Sequence, residues 1–422
     1  MAITDDVLVI GGGIAACTAA LSAAETGAQV RLLAHKKSTL RQASGLVDVL
    51  GYAGDDGPLA NPYDGLDELP EDHPYRIVGE DGIRDGLRLF DEAVGDAYRG
   101  GHTDDNALVA TYGGTMKPTA RYPESVASGL VSASGDMLLV GFESLTDFDA
   151  PVAADHLEAA GVPFSVRGVT LSFPKAFRAD AKLTRFAKAL DRDESVEGET
   201  VRSALADAVA DELDGESRVG FPAMLGDDHD TEVRDELADR LGVPVFEVPT
   251  GPPSLLGLKL EDMLFDALDE AGVRIASGNP AVDFEADGDR IETVLVDQKS
   301  RMTPYEADQI VLATGGLVGK GLDSDREHVT EPVFGCHVPH PEDRYDWSEP
   351  EAFGDHEFAR FGVVPDDELR PTDADGESHF ENLRAAGGVV GGAHVAREKS
   401  ASGVSLATGA VAGRLAGEDA TQ

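Results

Sequence analysis

Asp6-Val-Leu-Val-Ile-Gly-Gly-Gly-Ile-Ala-Ala-Cys17 is the stretch on which the reading of the chain turns. Val7–Ile10 is a short apolar run rich in β-branched residues, too short for a helix core, and it predicts a buried strand. Gly11, Gly12 and Gly13 follow at once. Ile14–Ala24 is an alanine-rich helix former closed by Gly27, and Gln29–Ala34 reads as a second strand. Strand, glycine turn, helix and strand in this order make the first unit of a dinucleotide-binding domain. The spacing is Gly11-x-Gly13-x-x-Ala16. Gly11 permits the tight turn, and Gly13 lets backbone N–H groups approach a phosphate at the positive end of the helix. Ala16 is small enough for close packing of helix on strand. A ribose-binding acid is usual about twenty residues further on. That position falls near His35, in Leu-Leu-Ala-His-Lys-Lys, and no acid stands there. Either the adenosine ribose is held otherwise, or the ligand has no adenosine half.

The chain has 422 residues, enough for a large core and two domains. It carries 79 acids against 35 bases, a net charge of −44, spread along the sequence on top of 41% apolar residues. Such a pattern predicts a globular fold with a solvated acidic surface, as in proteins of a very salty cytoplasm, where salt screens the self-repulsion. It argues against nucleic-acid binding and against direct contact with anionic lipid. The two cysteines, Cys17 and Cys336, offer neither a metal-ligand spacing nor a disulfide framework. With no basic leader, no cleavage site and no long apolar run, the expectation is an intracellular protein that meets a membrane only through a partner.

Further along, Ser44-Gly45 lies in a turn whose hydroxyl and backbone donors would face a bound ring. Ile83–Tyr98 predicts a helix with Leu87, Leu89, Phe90 and Val94 inward. Tyr112–Pro123 is poor in acids, and its Lys117 and Arg121 make a local cationic site suited to an anionic substrate or a flavin phosphate. Met137–Phe142 and Val169–Phe173 read as strands, and the helices Ala150–Ala160, Thr184–Leu190 and Thr200–Leu213 lie among them. Residues 56–240 are therefore expected to form an inserted α+β substrate or cap domain, between 1–55 and 241–422 of a nucleotide-binding domain. The return begins with a strand at Pro244–Pro249 and a helix, Leu255–Ala271, capped by Ser254. Strands at Val273–Ala276, Ala281–Ala286 and Ile291–Val296 lead to Ala307–Ala313, which runs into Thr314-Gly315-Gly316. That order is the one found in α/β, Rossmann-like flavoproteins with two dinucleotide-binding domains. Last come Asn382–Gly392, ending in Gly391 and Gly392, then the loop His394–Ser402 and a helix, Gly403–Leu415. Ser402, Gly403 and Ser405 at its N-terminus are candidates to meet the flavin carbonyl on which negative charge gathers.

Several stretches carry a family resemblance. They are Ile10-Gly-Gly-Gly-Ile-Ala, Ala43-Ser-Gly-Leu-Val-Asp-Val-Leu, Gly114-Thr-Met-Lys-Pro-Thr, Gly141-Phe with Asp147-Phe148, Gly220-Phe-Pro-Ala-Met-Leu-Gly, Glu331-Pro-Val-Phe-Gly, and Asn382-Leu-Arg-Ala-Ala-Gly with Gly391-Gly392. On these the chain resembles the B subunit of anaerobic glycerol-3-phosphate dehydrogenase, a flavoprotein family. The resemblance implies a cytoplasmic, membrane-associated complex of three subunits that oxidises sn-glycerol 3-phosphate to dihydroxyacetone phosphate and passes electrons toward quinone. It implies FMN in the B subunit, whose partners are a related FAD-binding A subunit, and an iron–sulfur C subunit. The missing acid near His35 agrees with FMN, whereas the intact Gly11-x-Gly13 turn suits FAD. Oxidation of the secondary alcohol transfers a hydride to the flavin and needs a base for the hydroxyl proton. His337 and His394 are the candidates for that base, and Lys117, Arg121 and Arg397 are those for the substrate phosphate. Two other readings stay open: a self-contained FAD-dependent dehydrogenase or reductase of another small acid, and a non-catalytic flavoprotein assembly subunit.

Overall fold

The run expected as a buried strand is the inner half of β1 (Ile3–Ile10), which passes through the glycine turn into α1 (Ile14–Glu25) and on to β2 (Val30–Ala34). The computed structural model describes residues 2–35, 39–54, 57–178, 181–299, 301–352 and 354–422. Its principal later elements, in chain order, begin with α2 (Pro74–Val94), β3 (Met137–Phe142), α3 (Ala150–Ala159), β4 (Val166–Leu171), α4 (Leu183–Asp191) and α5 (Val201–Ala210). Then come β5 (Arg218–Pro222), α6 (Asp230–Leu241), β6 (Val245–Val248), α7 (Leu255–Glu270), β7 (Arg274–Ser277) and β8 (Ala281–Asp287). The last are β9 (Arg290–Asp297), β10 (Met302–Leu312), β11 (Leu383–Ala385) and α8 (Ala401–Ala420). The chain divides into two compact units, Met1–Thr39 with Asp48–Gly95 and Asp262–Gln422, and Leu40–Val47 with Asp96–Glu261. Among the described residues no helix is long and apolar enough to cross a membrane.

The first unit is built on a sheet of order β7-β2-β1-β10-β9-β8, with β11 also beside β10. β1 lies between β2 and β10, parallel to both, with Val7 opposite Val30 and Gln309. A strand flanked on both sides and covered on both faces needs a continuous apolar run. Val7, Leu8, Val9 and Ile10 are accordingly all buried. At the opposite end of β1, buried Asp5 takes Arg31 at 2.5 Å and Arg274 at 2.6 Å, tying three neighbouring strands through one carboxylate. Arg384 of β11 is fully buried and reaches Gln309 at 2.8 Å and Asp419 at 2.7 Å. Asn382 beside it donates to the Ile291 carbonyl at 2.9 Å. The Asn382-Leu-Arg384 motif is thus a clamp between β11, β10, β9 and the end of α8.

Small residues let the helices approach backbone to backbone. Gly409, Gly413 and Gly417 of α8 face the Ala15, Ala19 and Ala23 carbonyls of α1, and a Cβ on Gly413 would collide with the Ala19 oxygen. Gly86 of α2 does the same against the Leu406 backbone, and Gly82 leaves room for the Val411 side chain. α2 starts earlier than its periodicity predicts, at Pro74, because His73 caps it by accepting the Tyr75 N–H at 3.1 Å. It bends at Gly79 and stops at Gly95 rather than at Tyr98.

The second unit has a four-stranded sheet of order β6-β5-β3-β4, parallel throughout. Helices alternate with these strands, so the insertion has an α/β core where the sequence suggested α+β. Its centre is aromatic, with Phe142, Phe173, Phe186 and Phe221 in edge and stacked contact. The strand expected at Val169–Phe173 begins at Val166, where it pairs with Met137. The expected boundary between residues 55 and 56 lies outside the described residues, and the chain onward to Gly95 stays with the first unit, since α2 packs on α8. β6, expected to open the return, is instead the edge strand of the second sheet.

Replacing Gly413 by Ala gains up to about 1 kcal/mol of helix propensity. The clash with the Ala19 carbonyl outweighs it, so Gly413→Ala and more strongly Gly413→Val are expected to lower stability, the latter by about 2–3 kcal/mol. Urea unfolding at fixed KCl measures this, and an unshifted midpoint for Gly413→Val would contradict the close approach.

Candidate functional site

Strands β1, β2, β10 and β11 run parallel and end on one edge of the first sheet. A chain that leaves β1 between neighbours reached in opposite directions opens a crevice there, the usual ligand position of such sheets. A cavity of about 560 Å³ occupies it. Its walls are the turns after each strand, namely Gly11–Ala15, Leu33 and His35, Ala313–Gly316, and Gly388, joined by Ala401 and Ser405 of α8. Among the described residues of the lining His35 and Lys320 are titratable, and in this very acidic chain none of them is an acid.

The lining is mostly backbone because side chains do not fit. Gly11 has φ +150°, and a Cβ there would strike the Ala313 carbonyl. Gly316 faces the Gly388 oxygen in the same way, at 2.7 Å. Ala16, wholly buried, sits under Gly11, where a larger side chain would push the turn outward. Gly13 is the N-cap of α1 with no side-chain cap, and the first bond of the helix runs from the Cys17 N–H to the Gly13 carbonyl at 3.0 Å. The N–H groups before Cys17 therefore have no intrahelical acceptor and present a positive dipole end. Thr314 in the opposite wall has a buried hydroxyl without a hydrogen-bond partner among the described residues. The donor set, the dipole and the absence of acids fit a phosphate-bearing nucleotide.

Glu331 shapes one wall from behind. It is buried, and its carboxylate accepts the N–H groups of Val333 and Phe334, each at 2.8 Å. This holds the turn whose Pro332 and Val333 line the cavity. Burial raises the Glu331 pKa, and those backbone donors work against the rise.

Other expected residues lie elsewhere. Gly391 and Gly392 line a second cavity of about 360 Å³ together with Arg360, on the far end of the loop that begins at Gly387. Gly403 packs on the Tyr75 hydroxyl and the Asp48–Val49 backbone, and the Ser402 N–H donates to Asp48 at 2.9 Å. Of the α8 candidates, Ser405 alone reaches the first cavity. Ser44 and Gly45 belong to the second unit, where Gly45, at φ +79°, lies against Leu256 and its carbonyl accepts from Tyr98. Arg121 is buried there and donates to the Gly100 and Ala120 carbonyls, so its guanidinium holds the unit's own backbone. Lys117 stands in a hairpin strand, Met116–Thr119, opposite Val109.

His337 is exposed, and its backbone N–H donates to His379. His394 is buried and caps the short helix Val395–Glu398, with Nδ1 accepting the Arg397 N–H at 3.3 Å. A neutral ring that accepts at Nδ1 carries its hydrogen on Nε2. The same Arg397 N–H also donates to the His394 carbonyl at 3.0 Å, and His394 lies outside the described lining of the first cavity. Behind it, Glu398 accepts the His394 N–H at 2.7 Å, the Ser400 hydroxyl at 2.7 Å and Nε2 of fully buried His73 at 3.1 Å. Burial pushes the Glu398 carboxyl up, but these donors, His73 first, outweigh it and hold the group below its ordinary value. Glu331 and Thr314 stand in stretches the sequence singles out, though their roles were not read there, while no motif marks Glu398 or His73, whose mutual contact is distant in sequence.

Residues 6–404 match the model of the FAD binding domain family. The chain is 58% identical over 99% of its length to the probable B subunit of anaerobic glycerol-3-phosphate dehydrogenase from Halobacterium salinarum, of which 99% is covered. It is 31% identical to the B subunit of anaerobic glycerol-3-phosphate dehydrogenase from Pectobacterium atrosepticum, over 95% of this chain and 96% of that one. The chain belongs to the B-subunit family of anaerobic glycerol-3-phosphate dehydrogenase. Vibrio cholerae has a further relative of the same name, 30% identical over 96% of this chain and 94% of that one. An aligned length of 423 residues against the halophile relative leaves no large part of either chain unmatched. In this family the glycine turns at Gly11 and Gly315 stand within a flavoprotein fold.

Two outcomes follow from the geometry. Gly11→Val is expected to weaken flavin binding at least about tenfold, some 1.4 kcal/mol, while the far-UV circular dichroism stays unchanged; full flavin retention would contradict the backbone cradle. The lowered Glu398 pKa adds stability above the ordinary glutamate value, and this is lost as pH falls through the lowered value. Glu398→Gln should therefore flatten the acid limb of a stability–pH curve, and an unaltered limb would mean that this carboxylate is not its source.

Proposed function

We propose that this chain is a flavin-dependent subunit of an anaerobic glycerol-3-phosphate dehydrogenase, taking part in the oxidation of sn-glycerol 3-phosphate to dihydroxyacetone phosphate with electrons passed toward quinone. The observation that carries the reading is a full-length relationship to the B subunits of that enzyme in a chain whose acid-free cavity sits at glycine-lined strand ends. Gly11, Gly13 and the first N–H groups of α1 would hold the flavin's phosphates, with Gly315, Gly316 and Ser405 along the opposite wall. When bound, the flavin supplies the hydride acceptor for the alcohol carbon. We take FAD rather than FMN as the occupant, because the cavity continues past the glycine turn to His35 and Thr39, where an adenosine half would lie. His35 then stands where an acid is usual. Gly391, Gly392, Ser402 and Gly403 serve the neighbouring loop and helix end, and His394 presents an N–H to an anionic substrate.

Electrons must leave through a partner. The two cysteines, both buried, fall short of the four thiolates an iron–sulfur cluster ordinarily takes. The partners this reading requires are a related FAD-binding A subunit, and an iron–sulfur C subunit. Contact with the membrane would come through them, since a net charge of −44 is repelled by anionic lipid.

The test is to purify the chain in high salt, denature it, and identify the released flavin by chromatography and mass. Dye reduction by glycerol 3-phosphate is then followed with the co-purified partners. FAD with substrate-dependent reduction is the expected result. A folded chain carrying no flavin, or a complete complex inert to glycerol 3-phosphate, would overturn the reading.

A further inference from the structure

The acid-rich stretch Asp355-His-Glu-Phe-Ala-Arg360 carries one carboxylate that is unusually well attended. Asp355 pairs with Arg360 at 2.7 Å, lies 3.6 Å from the Arg397 guanidinium, and faces Nε2 of His394 at 3.9 Å. The Arg360 hydrogen bond, ahead of the charges on Arg397 and His394, holds its carboxyl below the usual range. Asp355 itself is half exposed, as is Arg397, whereas the His394 ring is nine-tenths buried. Nε2 of His394 is buried and has no hydrogen-bond partner among the described residues. A buried N–H left unbonded is costly, and a distance of 3.9 Å to Asp355 does not satisfy it. Three donors thus converge on a position that a single carboxylate fills incompletely.

We propose that Arg360, Arg397 and His394 form a binding site for a phosphate monoester, and that Asp355 takes the place of the phosphate until the ligand displaces it. A phosphate monoester carries about −1.5 to −2 charges and three acceptor oxygens near neutral pH. It matches two guanidiniums and one N–H better than a carboxylate does. Arg360 also lines the second cavity, which gives the rest of such a ligand about 360 Å³ to occupy. Asp72 and Glu357 line that cavity too, so an anion is favoured only at its Arg360 end. The loop from Gly387 to Gly392 separates the two cavities, with Gly388 facing the first and Gly391 and Gly392 the second. A ligand held at Arg360 would therefore lie across one glycine loop from the proposed flavin site. Glu398 and His73 act as positioning residues, since they fix the His394 turn from behind.

This inference rests on the dehydrogenase reading for the identity of the ligand, though not for the existence of the site. Flavin-loaded full chain at fixed KCl is titrated calorimetrically with sn-glycerol 3-phosphate, with inorganic phosphate and with glycerol. Asp355→Asn should tighten both phosphate ligands severalfold by removing the competing carboxylate. Arg360→Gln should weaken both at least about tenfold, and Arg360→Lys should restore part of that loss. Glycerol binding and flavin content should stay unchanged in all three. If glycerol 3-phosphate is bound and oxidised but none of these substitutions alters its affinity, the inference fails and the dehydrogenase reading stands. If inorganic phosphate follows the expected pattern while glycerol 3-phosphate does not bind, the site stands and the substrate assignment fails.

Discussion

A single carbonyl oxygen, that of Ala313, sets how the chain can cross the edge of the first sheet. The Ala313 N–H donates to Ile10 and the Gly11 N–H to Leu33, so three strand ends are tied within a few ångströms. Only a residue without a side chain can then follow β1. The same rule repeats at Gly316 against Gly388. Backbone dipoles consequently make up most of the cavity wall. Such a lining attracts an anion without a cationic side chain on each side. It also suits a chain with so many acids, because surface charges are screened by concentrated salt over about 3 Å at 1 M. Dipoles packed against a ligand in a concave site are screened far less.

The helices obey the same constraint one layer out. α1 can deliver its N-terminus to the cavity only if it lies flat on the sheet, and the glycine stripe of α8 holds it there at backbone contact. Ser22 adds a hydrogen bond to the Ala410 carbonyl at 2.7 Å. α8 in turn supplies Ala401 and Ser405 to the cavity wall. Packing and cavity are one arrangement, and a methyl group placed between these two helices is felt at the cavity wall that α1 and α8 line. Charges follow the opposite rule. Most of the acids are exposed, while buried Asp5 and Glu331 and half-buried Glu398 each have specific donors and fix a strand, a turn or a loop.

The parts legible in the sequence were those enforced locally. Gly11-x-Gly13-x-x-Ala16 and Ala-Thr314-Gly-Gly stand where a strand must turn sharply, and a sharp turn leaves a glycine signature. The glycines at 391 and 392 carry the same signature but serve a different cavity, because a glycine reports close approach and not what is approached. Arg121 looked like a free cation in an acid-poor stretch, yet it is buried against two carbonyls. The place of α2 was hidden because Gly82 and Gly86 read as helix-weakening residues unless their partner helix is known. The parallel second sheet was hidden as well, since strand direction depends on pairings between residues far apart in the chain. Asp355 and Arg360 lie in an exposed, acid-rich segment with no motif. Their meeting with His394 and Arg397 arises from tertiary contact alone.

The ring of His394 connects these threads. Sequence supplies a histidine near a flavin loop, and alcohol oxidation requires a base, so the two are easily joined. The Arg397 N–H approaches both the His394 carbonyl, at 3.0 Å, and Nδ1, at 3.3 Å, and in the tautomer that accepts at Nδ1 the ring has a hydrogen to give at Nε2. Converting it into a base would break that bond and uncap the turn that Glu398 and His73 hold from behind. An imidazole fixed in this way stabilises negative charge, whether on a phosphate or on an oxygen losing its proton. The proton itself then has to leave to another group or to solvent.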